Sequence, residues 1–176
     1  MDYSMRLLDR NDIIAVYQGL HEDFPPCEIK PLDDITVLYD RQQYFAYGFF
    51  CGEDLAAYMF LFSIDGKGLF LDYFAVKETY RGNGFGSEIL KSVLNEVRDR
   101  YDFLMLECET PEYAETEAEK ILRTHRIGFY LRNGFRNSGL LAFAPGFEAD
   151  VIVADLRNVA DTKTIIDALL FASSQE

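Results

Sequence analysis

The residues with the plainest chemical potential are Arg81-Gly82-Asn83-Gly84-Phe85-Gly86-Ser87, a cation followed by glycine at every second position. Glycine lets a backbone approach a ligand closely and adopt φ values that a Cβ forbids. The run stands between an apolar stretch, Leu69 to Val76, and a segment in which Ile89, Leu90, Val93, Leu94 and Val97 recur with helical spacing. A glycine turn that opens a helix presents free backbone N–H groups at the positive end of the helix dipole, and with Arg81 this makes a site for an anion, most naturally a phosphate. Two familiar phosphate loops do not fit. Gly86-Ser87 lacks the lysine that a P-loop places before its Ser or Thr, and the third glycine comes one residue too early for a dinucleotide fingerprint.

A second set of reactive side chains follows the helix. Phe103 to Cys108 reads as a strand, and on a strand Glu107 and Glu109 share one face while Leu106 and Cys108 share the other. Either carboxylate is placed to accept a proton, directly or through water. Asp72, a lone acid in the apolar stretch before the glycines, is a third candidate with an equally good structural explanation. The acidic segment from Glu109 to Glu119 reads first as a solvated lead into a helix, since acids are favoured at a helix N-terminus, with an acceptor-binding role as the alternative. Gly134 then stands where a helix ends in a left-handed residue.

The elements needed to position these groups can be read in order. Met5 to Leu8 predicts a short strand and Asp9 or Asn11 a helix cap, with Ile13, Ile14, Val16, Tyr17 and Leu20 largely on one face. His21 to Lys30, with Pro25-Pro26, predicts a break in regular structure, and Leu32 to Asp40 a second helix. Glu22, Asp23, Glu28 and Phe24 in that break are an exposed connector or a contact for a cationic acceptor. Tyr44 to Phe50, Leu55 to Ile64 and Leu69 to Val76, joined by glycine-containing turns, predict an antiparallel meander. Strand, helix, strand then predicts that Phe103 to Cys108 runs parallel to Leu69 to Val76. Strands are expected near Phe135 to Phe143 and Phe147 to Leu156, and a last amphipathic segment at Ile165 to Phe171.

Two motifs in this order resemble the GNAT superfamily of acetyl-CoA-dependent N-acetyltransferases. Arg81, Gly84 and Gly86 fill its pyrophosphate loop, and Phe129-Tyr130 followed by Gly134-Phe135 reproduces its aromatic-Tyr, Gly-Phe spacing. The resemblance covers about Leu55 to Leu156. It implies a mixed α/β fold with a central, mostly antiparallel twisted sheet, a splayed parallel strand pair and helices on both faces. It implies binding of acetyl-CoA by residues 81 to 87 (Arg81, Gly82, Asn83, Gly84, Phe85, Gly86, Ser87), by the backbone of Phe74, Ala75 and Val76, and by Tyr130 as the acid that protonates the leaving thiol. Backbone donors around Phe74 to Val76 would stabilise the oxyanion, a contribution of ~3 kcal/mol. The family often carries Asn and Ala where this chain has Arg123 and Arg126. One of those arginines would instead meet a phosphate or an acid of the preceding segment, and Arg126 is counted with the cofactor residues.

The function implied is direct attack of a primary amine, of a small molecule or a peptide, on the thioester. A non-catalytic acyl-CoA-binding or partner-binding domain of the same fold is the alternative. At 176 residues one domain, 1–176, is expected. A net charge of −13 argues against nucleic acid and anionic membrane as partners. The absence of a long apolar run and the scattered Cys27, Cys51 and Cys108 predict a soluble, cytoplasmic protein with reduced thiols. Three unclustered cysteines and two histidines predict no metal site, and a homodimer is left open.

Overall fold

The computed structural model describes residues 2–144 and 147–173. The chain resolves into two compact units, one of Met1–Ser63 and Leu71–Gly86, the other of Ile64–Phe70 and Ser87–Glu176.

In the first unit β1 (Ser4–Leu7) pairs antiparallel with β2 (Tyr44–Cys51), which pairs antiparallel with β3 (Asp54–Ile64). Between β1 and β2 lie α1 (Arg10–Tyr17), α2 (Leu20–Asp23), a 3-10 turn at Pro26–Glu28 and α3 (Leu32–Asp40). Asp9 caps α1, accepting from the Asn11 and Asp12 N–H groups while Asp12 accepts from the Asp9 N–H. The predicted break at His21 to Lys30 is corrected in part: Leu20 to Asp23 makes one helical turn, which ends before Pro25 because the residue preceding a proline is pushed out of the helical region. The core here is aromatic. Tyr44, Phe49, Tyr58 and Phe60 are almost wholly buried, and Phe24, Phe60 and Tyr73 meet edge to face.

β4 (Gly68–Val76) contributes its last six residues to this unit, and Lys77 N–H bonds back to the Ala56 carbonyl at 2.8 Å. The glycine turn then leads into α4 (Phe85–Val97), whose Ile89, Leu90, Val93 and Val97 are fully buried. Each such burial contributes roughly 1.5–3 kcal/mol.

The second unit is built on β5 (Phe103–Glu109), which pairs antiparallel with β7 (Phe147–Asp155), itself paired with β6 (Arg136–Ala144). β4 and β5 run parallel over three residue pairs, Gly68↔Phe103 to Phe70↔Met105, as the strand–helix–strand reading predicts. The strand order is β1-β2-β3-β4-β5-β7-β6, a mostly antiparallel mixed α/β sheet among the described residues. α5 (Glu117–Arg132) starts on the Thr116 side chain, which accepts from Glu119 N–H, and carries Glu117 and Glu119 in its first turn. It ends as predicted at Gly134, φ 91°, with Phe135 N–H on the Tyr130 carbonyl and Gly134 N–H on the Leu131 carbonyl. α6 (Thr162–Ser173) covers the predicted last amphipathic segment. Among the described residues no helix is long and apolar enough to cross a membrane, and no cluster of His, Cys, Asp and Glu could hold a metal.

Candidate active site

In the first unit the glycine loop hangs between the end of β4 and the start of α4. Gly82 and Gly84 have φ of 90° and 78°, and a Cβ built on either would meet nothing within 4 Å. The backbone conformation favours glycine there, and the space above it is open. Gly86 differs from the sequence expectation. It lies in the first turn of α4 and is not among the glycines of positive φ, so two of the three glycines carry the turn. Asn83 is exposed, whereas the Phe85 ring is 1 % exposed and packs against Tyr3 and Tyr80, so any role of Phe85 toward a ligand falls to its backbone. Phe74, Ala75 and Val76 form the end of β4 leading to this turn.

Arg81 is held from two sides. Its Nε donates to the Val76 carbonyl at 2.6 Å, and its Nη2 lies 3.3 Å from Asp23 Oδ1. Asp23 is the hub of this corner: its side chain is 8 % exposed and also accepts from Tyr58 OH at 2.9 Å and Lys77 Nζ at 3.0 Å. A carboxylate so buried is tolerated because every exposed face of its charge meets a donor. Burial and the Asp23 charge push the Tyr58 phenol well above its ordinary value. Asp23 therefore serves the loop and does not stand free for a cationic acceptor. Asp72 is likewise committed to structure, with Oδ1 on Lys30 Nζ at 2.9 Å and Oδ2 on Tyr44 OH at 2.5 Å. Tyr73 OH accepts from Lys30 N–H and donates to the Glu28 carbonyl, so the connector between α2 and α3 is pinned to β4.

In the second unit Tyr130, Cys108, Glu109, Arg123 and Arg126 come together. Tyr130 is 7 % exposed, its ring packs against Phe129 and Phe135, and its hydroxyl makes no hydrogen bond among the described residues. Burial, helped by the nearby Cys108 and opposed by Arg126, pushes its pKa up, so the phenol holds its proton. The Cys108 thiol is pushed up to about 12, chiefly by burial, which removes it as a nucleophile near neutrality. Glu109 Oε1 accepts from Arg123 Nη2 at 2.8 Å, and its Oε2 lies 3.7 Å from Arg126 Nη1. Arg123 also donates to the Thr110 carbonyl. The two arginines thus meet an acid, one of the two partners expected of them. Glu107 lies on the same strand, half-buried. Ser87, at the start of α4, accepts from the Asn133 amide at 3.0 Å.

Sequence reasoning did not identify the Asp23–Lys77–Arg81 cluster, nor two orphaned polar atoms at the end of β5: Thr110 Oγ1 and Glu148 Oε2 are buried without a hydrogen-bond partner among the described residues. The signal for Asp23 was its acidity beside two prolines, and nothing in the sequence distinguished Glu148.

A model of the acetyltransferase (GNAT) family matches residues 13–135, which includes residues of both units. No curated protein sequence matches the chain. Among solved structures, the ribosomal-protein-S18-alanine N-acetyltransferase of Escherichia coli is similar with a TM-score of 0.64 at 18% identity, covering 92% of this chain and 98% of that one. The aminoglycoside 6'-N-acetyltransferase of Enterococcus faecium gives 0.65 at 17% identity over 87% and 97%. An acetyltransferase of Bacillus subtilis in complex with CoA gives 0.59 at 15% identity over 88% and 99%.

Proposed function

The chain belongs to the GNAT acetyltransferase family, and from that premise we propose that it acts as a single domain transferring an acetyl group from acetyl-CoA to a primary amine by direct attack. The observation that carries the reading is the loop from Arg81 to Ser87. Two glycines in left-handed conformations leave its upper face open, a cation is fixed beside it, and α4 begins at once. These residues fit a pyrophosphate: backbone N–H groups and the helix dipole favour the anion, and Arg81 keeps N–H donors beyond the two engaged by Val76 and Asp23. Bound acetyl-CoA supplies an activated thioester.

The chain's own residues do the rest. Backbone N–H groups around Phe74, Ala75 and Val76 are assigned to the developing oxyanion. Tyr130 is assigned to the departing sulfur. Its buried phenol is protonated across the physiological range, and its hydroxyl is not spent on another partner. The amine must shed a proton before attack, since an alkylammonium with a pKa of about 10 is unreactive near neutrality. Glu107 and Glu109 are the carboxylates on β5 that can take it, though Glu109 already bridges two arginines.

Calorimetry with acetyl-CoA and with CoA tests the cofactor assignment, and absence of binding by both would end it. Release of CoA across a panel of amines and peptides tests transfer. Binding without release from any of them would leave an acyl-CoA-binding protein of the same fold.

A further inference from the structure

We infer that Glu148, together with Thr110, holds the water molecule through which the acceptor amine loses its proton. The inference rests on the acetyl-transfer reading and adds to it a residue from β7. Thr110 N–H donates to the Glu148 carbonyl at 3.0 Å, one step beyond the last pair of the β5–β7 ladder, Glu109↔Ala149. Residues directly opposed on antiparallel strands project to the same face with Cβ atoms about 4.5–5.5 Å apart. Thr110 is 5 % exposed, and its Oγ1 and Glu148 Oε2 are both buried without a partner among the described residues. A buried polar group left alone is costly, and one water satisfies both. It accepts from the threonine hydroxyl, donates to the carboxylate and keeps a lone pair for an ammonium N–H.

A carboxylate already bound to cations or donors is the weaker proton acceptor, because those partners stabilise its charged form. Glu109 has an arginine at each oxygen, and Asp150 accepts from the Asn137 amide at 2.8 Å. Glu148 makes no ion pair among the described residues and keeps its buried oxygen open. Its location suits the chemistry. Side chains alternate along the strand, so Thr110 shares a face with Cys108, which lies near Tyr130. The proton path balances: the amine N–H bond breaks toward water, the water gives its own hydrogen to Glu148, and the neutral amine forms its bond to the acetyl carbon. Charged or titratable groups on the neighbouring elements include Asp150 on β7, Glu107, Cys108 and Glu109 on β5, and Arg123, Arg126 and Tyr130 on α5; the β6 residue opposite Glu148 is Phe143.

The test is the pH profile of kcat/KM for the amine in Glu148→Gln, Thr110→Val, Thr110→Ser and Glu107→Gln, measured on the full chain. Glu148→Gln is expected to lose about 100-fold or more at pH 7 with KM for acetyl-CoA unchanged. The deficit should shrink as the pH approaches the amine's own pKa, where no acceptor is needed, a response that a purely structural lesion would not give. Thr110→Val should lose about 10-fold in the same pH-dependent way, and Thr110→Ser should recover it. Wild-type kcat/KM in Glu148→Gln, or a loss independent of pH, overturns the inference. The same signature in Glu107→Gln with Glu148→Gln unaffected moves the role to β5 and overturns it too. A wild type that acetylates no amine defeats the transfer reading as a whole, whereas an active wild type with an unimpaired Glu148→Gln defeats only this step.

Discussion

At the scale of single residues, the proposed chemistry depends on side chains whose protonation is fixed by burial. Tyr130 is the clearest. Its pKa is raised first by loss of water and then by Cys108, so the acid form is retained beyond the phenol's ordinary value of about 10. Tyr130→Phe keeps the ring packed against Phe135 and removes only the hydroxyl. The expected outcome is a fall in kcat of about 100-fold with acetyl-CoA affinity unchanged, measured by turnover and calorimetry together. Undiminished turnover would leave Tyr130 as a packing residue. The tyrosine was readable from its spacing to Gly134-Phe135. The availability of its hydroxyl was not, because that depends on what surrounds it in three dimensions.

At the scale of elements, two glycines separate folding from function. Gly68 opens β4, and a Cβ there would overlap the Phe103 ring, which is 2 % exposed and has nowhere to go. Gly68→Ala should destabilise the protein by about 1–3 kcal/mol in denaturant unfolding, and an unchanged midpoint would show that the ring can move. Gly84 is the converse: φ is 78°, and the space is open. Gly84→Asp should cost about 1 kcal/mol of stability, since aspartate tolerates the left-handed region, yet abolish acetyl-CoA binding in calorimetry by placing a carboxylate at the proposed phosphate site. Retained affinity would take the loop out of the cofactor assignment. Elements of this kind were legible in the sequence. Leu32 to Asp40 is the helix expected, Asp9 is the cap of α1, and the parallel relation of β4 and β5 follows from the strand–helix–strand order. What failed was local inference across prolines, where one turn of α2 fits before Pro25, and inference over distance. Asp23 finds its partners 35, 54 and 58 positions further on, at Tyr58, Lys77 and Arg81. Glu148 meets Thr110 only through a strand register that no periodicity encodes.

At the scale of the whole molecule, the aromatic interior sets an alkaline limit. Tyr44, Tyr58, Tyr73 and Tyr130 all have pKa values raised first by burial. In the unfolded chain these phenols ionise near pH 10 while the folded protein keeps them neutral, so above that pH the unfolded state binds fewer protons and stability falls as pH rises. Tm should be nearly flat below about pH 9 and drop steeply beyond about pH 10. A flat Tm through that range would mean that the phenols ionise without unfolding. Asp23 has a different kind of consequence. It belongs to α2, a single turn carried by the amino-terminal helices, and it shares its charge with the guanidinium assigned to the cofactor. A phosphate at Arg81 would change the pull on that turn, so acetyl-CoA should alter the hydrogen–deuterium exchange of the Leu20 to Phe24 amides. If exchange there is indifferent to saturating ligand, the carboxylate only anchors. If it responds, the segment is listening to the loop through one shared oxygen.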